Sequence, residues 1–561
     1  MSQGQTGARL LVETLVANGV DRAFCVPGES YLAVLDAMVD APGIDLVICR
    51  QEGGAAIMAD ADGKMTGKPG ICFVTRGPGA TNASAGVHIA FQDSTPMILF
   101  IGQVARHQVE REAFQEIDYR RMFGEMAKWV AQIEDPARVP EYVSHAFHTA
   151  MSGRPGPVVL ALPEDMLTEE VMEQVTIPGP AHVVQAHPGP DAMADLRAMM
   201  ETAERPLMIL GGGSWTEQAS QDIRAFAEAN NLPTSVSFRR QDLLPNDHPL
   251  YAGDVGIGIN PKLAERVRTS DLILAVGPRL GEMTTGGYSL FDIPVPKQRL
   301  VHVHPGAEEL GRVYRAELAM NSGMPGFAAA AKAMAPVTGR WDNWAGTAHD
   351  EYLAWTEPPE TPGDVQMGEV IAWLRDELAA DAMICNGAGN YTAWVHRFYR
   401  YRGYATQLAP TSGSMGYGVP AAVAAKLRHP ERDVVCFAGD GCFLMTGQEM
   451  ATAKQYGANV IFIVVNNGMY GTIRMHQERE YPSRVSGTQL VNPDFAALAK
   501  AYGATGEVVT ETAQFAAAFA RAKAADSPAL IELRTDPEAI TPTATLSGLR
   551  AQAEAREKGN P

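Results

Sequence analysis

Two short polar motifs follow apolar, strand-like runs in the C-terminal third of the chain. The run at residues 434–438 leads into Asp440, which has a glycine on each side, and the run at 460–465 ends at Asn466 and Asn467. A helical stretch separates the two runs, so the segment is predicted to be one β-α-β unit with a right-handed crossover. Because neighbouring parallel strands lie about 4.8 Å apart and end at one edge, Asp440 and Asn467 are expected side by side.

The residue types in these motifs suit a diphosphate–metal site. One carboxylate, one amide oxygen and nearby backbone carbonyls are hard oxygen ligands for Mg²⁺ or Ca²⁺, which would bridge phosphates. Glycines let phosphate approach backbone N–H groups closely. Each motif alone is better explained by an ordinary strand-to-helix turn or β-turn. Together, at matching strand ends, the two motifs predict a diphosphate–metal site.

A second acidic residue ends a strand in the first part of the chain. The strand predicted at residues 44–49 is followed by Glu52, and Gly53 then opens a helix. The carboxylate is therefore expected at the same kind of sheet edge as Asp440. In isolation, a surface or helix-capping glutamate is the more common explanation.

A sequence pattern that repeats along the chain predicts the strands and helices that position these residues. Three stretches repeat an apolar β-branched run, a glycine-rich turn and an alanine-rich helical pattern, which is typical of α/β domains with a mainly parallel sheet flanked by helices. Proline-rich joints near residues 177–190 and 357–363 separate the stretches. The tail is either a frayed end or a lid. The predicted domains are 1–180, 190–345 and 365–540, followed by the tail at 541–561.

Length and composition exclude several classes of protein. The 561 residues give room for about three domains with full hydrophobic cores. The 46 Lys and Arg against 65 Asp and Glu give a net charge of −19, which argues against nucleic acid as a partner. No apolar run approaches the roughly 18 residues of a membrane span and no signal peptide is visible, so a cytoplasmic location is expected. The six cysteines form no C-x-x-C pair, and we expect neither disulfides nor zinc.

The paired motifs resemble the signature of thiamine-diphosphate enzymes, and a resemblance to the acetolactate synthase/pyruvate oxidase-like family extends over nearly the whole chain. Residues 50–56 resemble that family's R-H-E-x-G-A-A motif, and residues 77–82 resemble its G-P-G-A-T-N turn. The resemblance implies a pyrimidine-binding domain, a Rossmann-like central domain and a diphosphate-binding domain. It also implies a homodimer or homotetramer, because each cofactor site in the family is shared between subunits.

The resemblance also implies which residues contact the cofactor. Mg²⁺ would be bound by Asp440, Asn467 and the backbone carbonyl of Met469. Met415 would lie between the cofactor's two rings, although methionine is also a common core filler. The Cys442 side chain is expected to add little, since the family usually has a small polar residue there. The implied cofactor contacts are Glu52, Asn390, Tyr391, Gly413, Met415, Gly439, Asp440, Gly441, Cys442, Asn467, Met469, Tyr470 and Gly471.

The family motif assigns an activating role to Glu52. The thiazolium C–H of thiamine is a weak acid, and its proton is removed within the cofactor when a carboxylate bonds to the aminopyrimidine ring. The motif around Glu52 therefore favours catalysis over the capping or surface role. We predict that Glu52 is the catalytic carboxylate.

Four further residues are candidates for the substrate side. Gln115 and Lys128 resemble acetolactate synthase positions around the substrate, where they would bond a carbonyl and steer a carboxylate. Both are also ordinary surface residue types. Glu29 stands where that enzyme has glycine, and His476 stands where it has its specificity-setting tryptophan. We expect Glu29 to point into the same cleft as Glu52 and, with His476, to shape the acceptor side; the alternative is that both are solvated.

The sequence predicts an enzyme that decarboxylates a small, pyruvate-like 2-oxo acid and joins the bound carbanion to a second carbonyl compound. The alternatives are a non-ligating 2-oxo acid decarboxylase, an aldehyde or 2-hydroxyacyl lyase and, more remotely, a non-catalytic binding protein on this fold. The consecutive histidine pair of simple pyruvate decarboxylases is missing. FAD is not expected: Arg279 resembles a flavin contact, but residues 301–306 lack the acidic residues of the flavin-binding synthases.

Overall fold

The structure is a computed structural model that describes residues 5–337 and 341–559. It divides into two compact units, one ending at Gln185 and the other beginning at Ala186. The first unit holds one six-stranded sheet and the second holds two. The strand pairs within all three sheets are parallel. The predicted α/β class with three parallel sheets flanked by helices is confirmed.

The first unit contains eight strands and seven α-helices among its described residues. The sheet order is β3-β2-β4-β5-β7-β6, and β1 pairs with β8 in an antiparallel ribbon. The strands are β1 (Gln5–Thr6), β2 (Arg22–Cys25), β3 (Asp45–Ile48), β4 (Gly70–Val74), β5 (Met97–Gln103), β6 (Trp129–Gln132), β7 (Pro157–Pro163) and β8 (Glu170–Val171). The helices are α1 (Gly7–Ala17), α2 (Leu32–Val39), α3 (Glu52–Thr66), α4 (Pro78–Asp93), α5 (Tyr119–Phe123), α6 (Val139–Met151) and α7 (Glu164–Thr168), with 3-10 turns at Glu29–Tyr31, Arg106–Gln108 and Pro136–Arg138.

The central part of the chain forms the second sheet, in the order β11-β10-β9-β12-β13-β14. The strands are β9 (Pro206–Leu210), β10 (Thr234–Ser237), β11 (Tyr251–Val255), β12 (Leu272–Val276), β13 (Arg299–His304) and β14 (Leu318–Asn321). The helices are α8 (Pro190–Thr202), α9 (Glu217–Ala229), α10 (Pro261–Thr269), α11 (Met324–Ala333) and α12 (Asp342–Trp355), with 3-10 turns at Gln241–Leu243 and Ala307–Glu309.

The last part of the chain forms the third sheet, in the order β16-β15-β17-β18-β20-β19, and a small ribbon of β21 and β22. The strands are β15 (Met383–Asn386), β16 (Gln407–Leu408), β17 (Val434–Gly439), β18 (Ile461–Asn466), β19 (Thr505–Val509), β20 (Ala529–Arg534), β21 (Ala539–Thr541) and β22 (Ala544–Thr545). The helices are α13 (Met367–Glu377), α14 (Tyr391–Phe398), α15 (Gly418–Arg428), α16 (Asp440–Phe443), α17 (Glu449–Gln455), α18 (Gly471–Glu480), α19 (Phe495–Ala501), α20 (Phe515–Ala524) and α21 (Leu546–Glu557), with a 3-10 turn at Thr512–Gln514.

The first and third sheets share one topology. Counting β2 to β7 and β15 to β20 each as strands one to six, both sheets have the order 2-1-3-4-6-5. Counting β9 to β14 in the same way gives 3-2-1-4-5-6 for the central sheet, which is the strand order of the Rossmann fold. The central domain is therefore Rossmann-like, as predicted.

The middle strands have the composition that a doubly covered parallel sheet needs. β5, β7 and β12 are buried along their whole length. Side chains on both faces of such strands pack under helices, so an unbroken apolar run is favoured over alternation. Polar residues are consequently concentrated where the strands end.

No helix or strand occurs at residues 172–189 or 356–366, which contain the two proline-rich joints. The domain boundaries drawn from those joints stay predictions. None of the helices in the described part of the chain combines the length and apolarity needed to cross a membrane.

Candidate active site

The predicted β-α-β unit forms at the carboxyl edge of the third sheet. β17 and β18 pair in parallel, with Gly439 opposite Val465. Asp440 begins α16 and is 3% exposed, and Asn467 directly follows β18. The two predicted metal ligands therefore lie at the same sheet edge.

Three donors fix the Asp440 carboxylate. The backbone N–H of Gly441 donates to Oδ1 (2.8 Å), while the N–H of Gly468 (2.9 Å) and Nδ2 of Asn492 (2.8 Å) donate to Oδ2. Burial raises the pKa of the Asp440 carboxyl, and these hydrogen bonds oppose the rise. A cation bound here would favour the ionised form and offset the cost of burying its charge.

The turn after β18 brings further oxygen atoms to this edge. Gly468 has a φ of +68°, a left-handed conformation that glycine adopts without strain, and it links Asn467 to Met469. One carboxylate, one amide oxygen and backbone carbonyls form a donor set that fits Mg²⁺. Within residues 5–337 and 341–559, no group of three or more His, Cys, Asp or Glu side chains is arranged to hold a metal. The set around Asp440 is of another kind, because it has one acidic side chain and otherwise amide and carbonyl oxygens.

A cavity of about 250 Å³ opens beside Asp440. All twelve residues of the third domain that the family pattern assigned to the cofactor line this cavity, from Asn390 to Gly471. The fold brings them together from four separate segments of the chain. Their individual roles stay predictions. Glu52, the thirteenth implied contact, belongs to the other compact unit.

Glycines in the cavity wall occupy positions where a side chain would collide with an aromatic ring. A Cβ on Gly441 would lie 2.5 Å from Cε1 of Tyr470, and a Cβ on Gly439 would lie 3.1 Å from Cδ1 of Tyr391. A larger residue at either position would press on a tyrosine ring, so both positions favour glycine. Bare backbone fits the close approach of phosphate oxygens to N–H groups.

Cys442 contributes more to the cavity than the sequence suggested. Its buried Sγ accepts a hydrogen bond from the Gly416 N–H (3.1 Å) and lies 3.4 Å from the Tyr391 hydroxyl. That hydroxyl also accepts from the Gly387 N–H (3.1 Å). This corrects the expectation that the Cys442 side chain adds little, because the sulfur joins the wall that carries Met415 to the wall that carries Tyr391.

Met415 lies in a turn shaped by two glycines. Gly413 (φ +68°) and Gly416 (φ +80°) both have left-handed backbones. The Thr446 hydroxyl donates to the Gly416 carbonyl (2.6 Å) and fixes the end of the turn. Met415 is half-buried, packs against the core of the third domain and lines the cavity. This position agrees with a wedge between cofactor rings, which stays a prediction.

The C-terminal segment covers one side of the cavity. β21 carries Ile540 into the lining, and Nδ2 of Asn390 donates to the Ile540 carbonyl (3.0 Å). α21 then packs on α18 through Leu546, Leu549 and Met475. The tail whose form the sequence left open is therefore a hairpin and a helix that pack against the cavity wall.

A buried carboxylate joins α21 to α18. Glu478 is 1% exposed and accepts from Nε and Nη2 of Arg550 (both 2.8 Å), from Arg474 and from the Ser483 N–H (3.1 Å). The hydrogen bonds from Arg550, together with those from Ser483 and Arg474, lower the pKa of Glu478 to about 2. This cluster anchors the C-terminal helix beside the cavity.

α18 presents two residues to the cavity that the sequence analysis missed. Thr472 and Ile473 line the cavity, and the Thr472 hydroxyl donates to Oδ1 of Asn390 (2.8 Å). Their place in the first helical turn after the Asn467 motif was the available signal. His476 is exposed one turn further along and does not line the cavity. Its role at the acceptor side stays a prediction.

Asn492 is a further site residue that the sequence analysis missed. Besides Asp440, its Nδ2 bonds to Oδ1 of Asn466 (2.9 Å), and Nδ2 of Asn466 donates to the buried carboxylate of Glu532 (2.7 Å). This chain of hydrogen bonds fixes the orientation of Asp440. Asn492 and Asp440 are 52 residues apart in sequence, and no local pattern links them.

In the first unit, Glu52 lies at the carboxyl edge of the sheet. It is the first residue of α3, and its Oε2 accepts a hydrogen bond from Nδ2 of Asn82 (2.9 Å). A Cβ on Gly79 would lie 2.9 Å from Cγ2 of Thr75 and 3.5 Å from Oε1 of Glu52, so Gly79 packs closely against Thr75 next to the carboxylate. The position agrees with the activating role and also with a favourable charge at a helix start. The role stays a prediction.

Arg76, which the sequence analysis did not single out, organises the same edge. It is 7% exposed, with Nη1 2.9 Å from Oε2 of Glu164 and Nη2 3.6 Å from Oε1 of Glu29. Its Nε donates to the Phe114 carbonyl (3.1 Å), next to Gln115. The structure thus brings Glu29 and Gln115 together around the positively charged Arg76. The role predicted for Glu29 from the sequence did not include an ion pair with this arginine.

Gln115 and Lys128 lie at different edges of the first sheet. Gln115 has a φ of +66°. A Cβ added to Gly77 would lie 2.7 Å from the Cβ of Gln115, so Gln115 lies against the turn that follows β4. Lys128 precedes β6 at the amino edge, and its Nζ donates to the Ser152 carbonyl (2.6 Å) after α6. The structure therefore does not bring Lys128 to the edge of Glu52 and Gln115, and it gives the lysine a helix-capping position.

The residue considered for flavin binding lies in an ion pair. Nε of Arg279 is 3.6 Å from Oε2 of Glu309, an acidic residue just beyond the segment 301–306. His302 is buried nearby, with Nε2 3.0 Å from the Pro278 carbonyl, and burial lowers its pKa. The absence of FAD stays a prediction.

Comparison with protein families places these sites in one class. Residues 387–533 match the family model described as thiamine pyrophosphate enzyme, C-terminal TPP binding domain. Residues 5–122 match the N-terminal TPP binding domain of thiamine pyrophosphate enzymes, and residues 193–330 match their central domain. The chain therefore belongs to the thiamine pyrophosphate enzymes.

Within that family the chain is similar to acetolactate synthase large subunits. It is 33% identical over 548 residues to the one from Parasynechococcus marenigrum, an alignment that covers 94% of this chain and 87% of the relative. It is 32% identical to the one from Lactococcus lactis subsp. lactis, covering 89% and 87%, and 30% identical to the isozyme 2 large subunit of Escherichia coli, covering 94% and 95%. The chain is thus a thiamine-diphosphate-dependent enzyme of the acetolactate synthase-like type.

Proposed function

We propose that this enzyme decarboxylates a small 2-oxo acid and joins the remaining acyl carbanion equivalent to a second carbonyl compound, with Mg²⁺ and thiamine diphosphate as cofactors. The observation that carries the proposal is the cavity lined by all twelve implied cofactor contacts of the third domain. The similarity to acetolactate synthases over 94% of the chain supports ligation as the outcome.

The residues at the edge of the third sheet would bind the metal and the diphosphate. Asp440, Asn467 and the carbonyl of Met469 would hold Mg²⁺, and the glycines beside Asp440 would leave backbone N–H groups available to phosphate. When bound, thiamine diphosphate supplies a nucleophilic carbon that adds to a 2-oxo acid and takes up the electrons released with carbon dioxide. Asn492 and the N–H of Gly468 keep Asp440 oriented for this binding.

Glu52 is the proposed acid–base carboxylate at the edge of the first sheet. Its Oε2 is held by Asn82, and Gly79 lies next to Oε1. An ionised carboxylate there would accept a hydrogen bond from the aminopyrimidine and thereby promote proton loss at the reactive carbon.

Glu29, Gln115 and His476 are proposed for the substrate side. Arg76 pairs with Glu29 and bonds to the carbonyl that precedes Gln115, so these two residues share one support. Gln115 would donate to a substrate carbonyl, and Glu29 would exchange a proton with the product oxygen or carbanion. Protonation of the carbanion in place of ligation would release an aldehyde, which is the alternative function.

The assembly that we propose is a homodimer or a homotetramer with shared active sites. Glu52 and Asp440 belong to separate compact units, and the resemblance implies that the two halves of each cofactor site come from different subunits. Small-molecule 2-oxo acid and carbonyl substrates are the proposed partners. The cytoplasmic location expected from the sequence stays a prediction.

A product screen tests the reaction type. The purified enzyme is incubated with Mg²⁺, thiamine diphosphate and a panel of 2-oxo acids and aldehydes, and the ratio of ligated product to free aldehyde is measured. We expect ligated product in the wild type, a changed ratio in Glu29→Gln, and an acceptor preference changed by about 1–3 kcal/mol in His476→Trp. Glu141→Gln, which alters another exposed glutamate that is paired with an arginine, is the control.

The outcomes separate the alternatives. Release of aldehyde alone by the wild type would make the enzyme a decarboxylase. Wild-type rates and ratios in both variants would remove Glu29 and His476 from the substrate side.

A further inference from the structure

A strained arginine lies where the central domain meets the third domain. Arg239 follows β10 and has a φ of +61°, a left-handed backbone that is rare for a long side chain. Its side chain is buried, with the residue 3% exposed. Left-handed backbone in a residue other than glycine costs free energy, and such strain is found most often at functional sites. The contacts of the Arg239 side chain indicate which part of the structure this backbone conformation supports.

The guanidinium reaches the turn that carries Met415. Nη1 of Arg239 donates to the Pro410 carbonyl, and the Gly413 N–H donates to the same oxygen (3.1 Å). Gly413 and Met415 both line the cofactor cavity, whereas Arg239 does not. One residue of the central domain therefore supports the first bend of the turn from outside the cavity.

The neighbours of Arg239 bind the opposite wall of the same cavity. Nε2 of Gln241 donates to the His396 carbonyl (2.8 Å) in α14, the helix that begins with the cavity residue Tyr391. The Phe238 ring packs edge-on against the His396 ring, with centroids 5.8 Å apart. Residues 238–241 thus connect the central domain to two walls of the cavity.

The charge around Arg239 is consistent with a fixed, buried cation. Its guanidinium lies 4.8 Å from the centroid of the Phe238 ring. Burial raises the pKa of Asp254 to about 7, and the positive charge of Arg239 opposes this rise. Burial lowers the pKa of His396, and Arg239 lowers it further. The positions of the Phe238 ring and the Pro410 carbonyl, which both contact the guanidinium, locate this charge.

We propose that Arg239 is a positioning residue through which the central domain fixes the turn at residues 413–415, and with it Met415, in the cofactor cavity. The inference rests on the proposed function, because it requires thiamine diphosphate to occupy this cavity. The residue supports the turn through the Pro410 carbonyl and does not itself contact cofactor or substrate. Its loss is expected to disturb cofactor geometry more than substrate binding.

The test compares Arg239→Ala, Arg239→Lys and Arg239→Gly with Arg240→Ala. Arg240 is a matched control, because its guanidinium bonds to the Gly212 carbonyl and pairs with Asp242 within the central domain. For each variant, calorimetry gives the affinity for thiamine diphosphate in the presence of Mg²⁺, and kinetics give kcat and KM for a 2-oxo acid.

We expect Arg239→Ala to bind the cofactor about 10-fold more weakly and to lose about 100-fold in kcat, the scale expected for a misplaced catalytic geometry. KM for the 2-oxo acid is expected to stay unchanged. Lysine keeps a donor for one carbonyl, so Arg239→Lys is expected to recover most of the loss. Glycine relieves the left-handed strain, so Arg239→Gly is expected to fold and still to show the full loss.

Cofactor affinity and kcat in Arg239→Gly that equal those of Arg240→Ala would overturn the proposal. A loss confined to KM would also overturn it. A wild-type enzyme that binds no thiamine diphosphate would refute the proposed function together with this inference, whereas wild-type binding with an unaffected Arg239→Gly refutes this inference alone.

Discussion

The carboxyl edges of the first and third sheets have the same strand order and different chemistry. At the third sheet, the segment after the third strand of the domain carries Asp440 between two glycines, and neutral N–H groups donate to its carboxylate. At the first sheet, the equivalent turn after β4 carries Arg76, which pairs with Glu29 and Glu164. The third-sheet edge forms one cavity covered by the C-terminal segment. The first-sheet edge presents charged groups instead.

This difference shows how one topology serves two tasks. Parallel sheets place the residues that follow their strands at one edge, whatever those residues are. The turn sequences then decide the chemistry: glycines and a single carboxylate suit a metal–diphosphate group, and paired charges with Glu52 suit proton transfer and substrate carbonyls. The fold alone therefore does not specify the function of either edge.

The largest effect is expected from removing the carboxylate at the third-sheet edge. Asp440→Ala should weaken binding of Mg²⁺ and thiamine diphosphate by at least about 100-fold and abolish activity, because no other acidic ligand is proposed for the metal. Calorimetry measures both affinities. Asp433→Ala is the control, since Asp433 precedes β17 at the amino edge and pairs with Lys523 (2.8 Å). Undiminished cofactor binding in Asp440→Ala would contradict the assignment.

The same type of change at the first-sheet edge should separate binding from activation. Glu52→Gln keeps the size of the side chain and removes its charge, so the cofactor should still bind while proton exchange at the thiazolium carbon slows by roughly 100-fold or more. Exchange is followed by NMR after deuterium labelling. Glu13→Gln, on the exposed face of α1, should exchange at the wild-type rate. Equal rates in Glu52→Gln and wild type would remove Glu52 from the activating role.

A smaller effect is expected from the residue that orients Asp440. Asn492→Ala removes one of the three donors to the carboxylate and should weaken Mg²⁺ binding by about 10-fold, the lower end of the range for such supporting contacts. The control is Asn459→Ala, because Asn459 bonds to Asp526 on the surface. An Mg²⁺ affinity equal to that of the control would show that Gly441 and Gly468 suffice to orient the carboxylate.

The smallest effect on catalysis is expected from a change in the C-terminal segment that covers the cavity. Removing the charge of Glu478, which anchors α21, should instead affect stability. The pKa of Glu478 in the folded state, about 2, lies below its usual value, so the stabilisation is present above about pH 4.5 and is lost as pH falls towards 2. Glu478→Gln should lower stability at neutral pH by on the order of 2 kcal/mol and flatten the pH dependence in that window. Thermal melts from pH 2 to 7 measure this. An unchanged pH profile would contradict the anchoring role.

The sequence was sufficient to predict those features of the fold and site that depend on short, local sequence patterns. The run of apolar residues before Asp440, its flanking glycines and the second run before Asn467 predicted two adjacent strand ends, and the structure has them. Strand and turn preferences act over a few residues, so such patterns can be recognised from one sequence. The α/β class followed from the same local signals, whereas the Rossmann-like central domain was implied by the family resemblance.

The sequence was insufficient to predict those features of the site that depend on contacts between segments far apart in the chain. Ile540 and Asn390 are 150 residues apart and still share a hydrogen bond at the cavity wall. The chain position of Lys128 did not reveal that it precedes a strand at the opposite sheet edge. The support that Cys442 gives to two walls depends on packing, which no spacing rule encodes. Each of these features required the three-dimensional arrangement of the elements.

The measurement that tests the central claim most directly is the affinity of the wild-type enzyme for thiamine diphosphate with Mg²⁺ present and after its removal by a chelator. Asp440, Asn467 and the carbonyl of Met469 are proposed to hold Mg²⁺, which would supply positive charge for binding the diphosphate of the cofactor. We therefore expect binding that weakens by at least about 100-fold when Mg²⁺ is removed and returns when it is restored. Binding of equal strength with and without the metal, or no binding in either condition, would contradict the account.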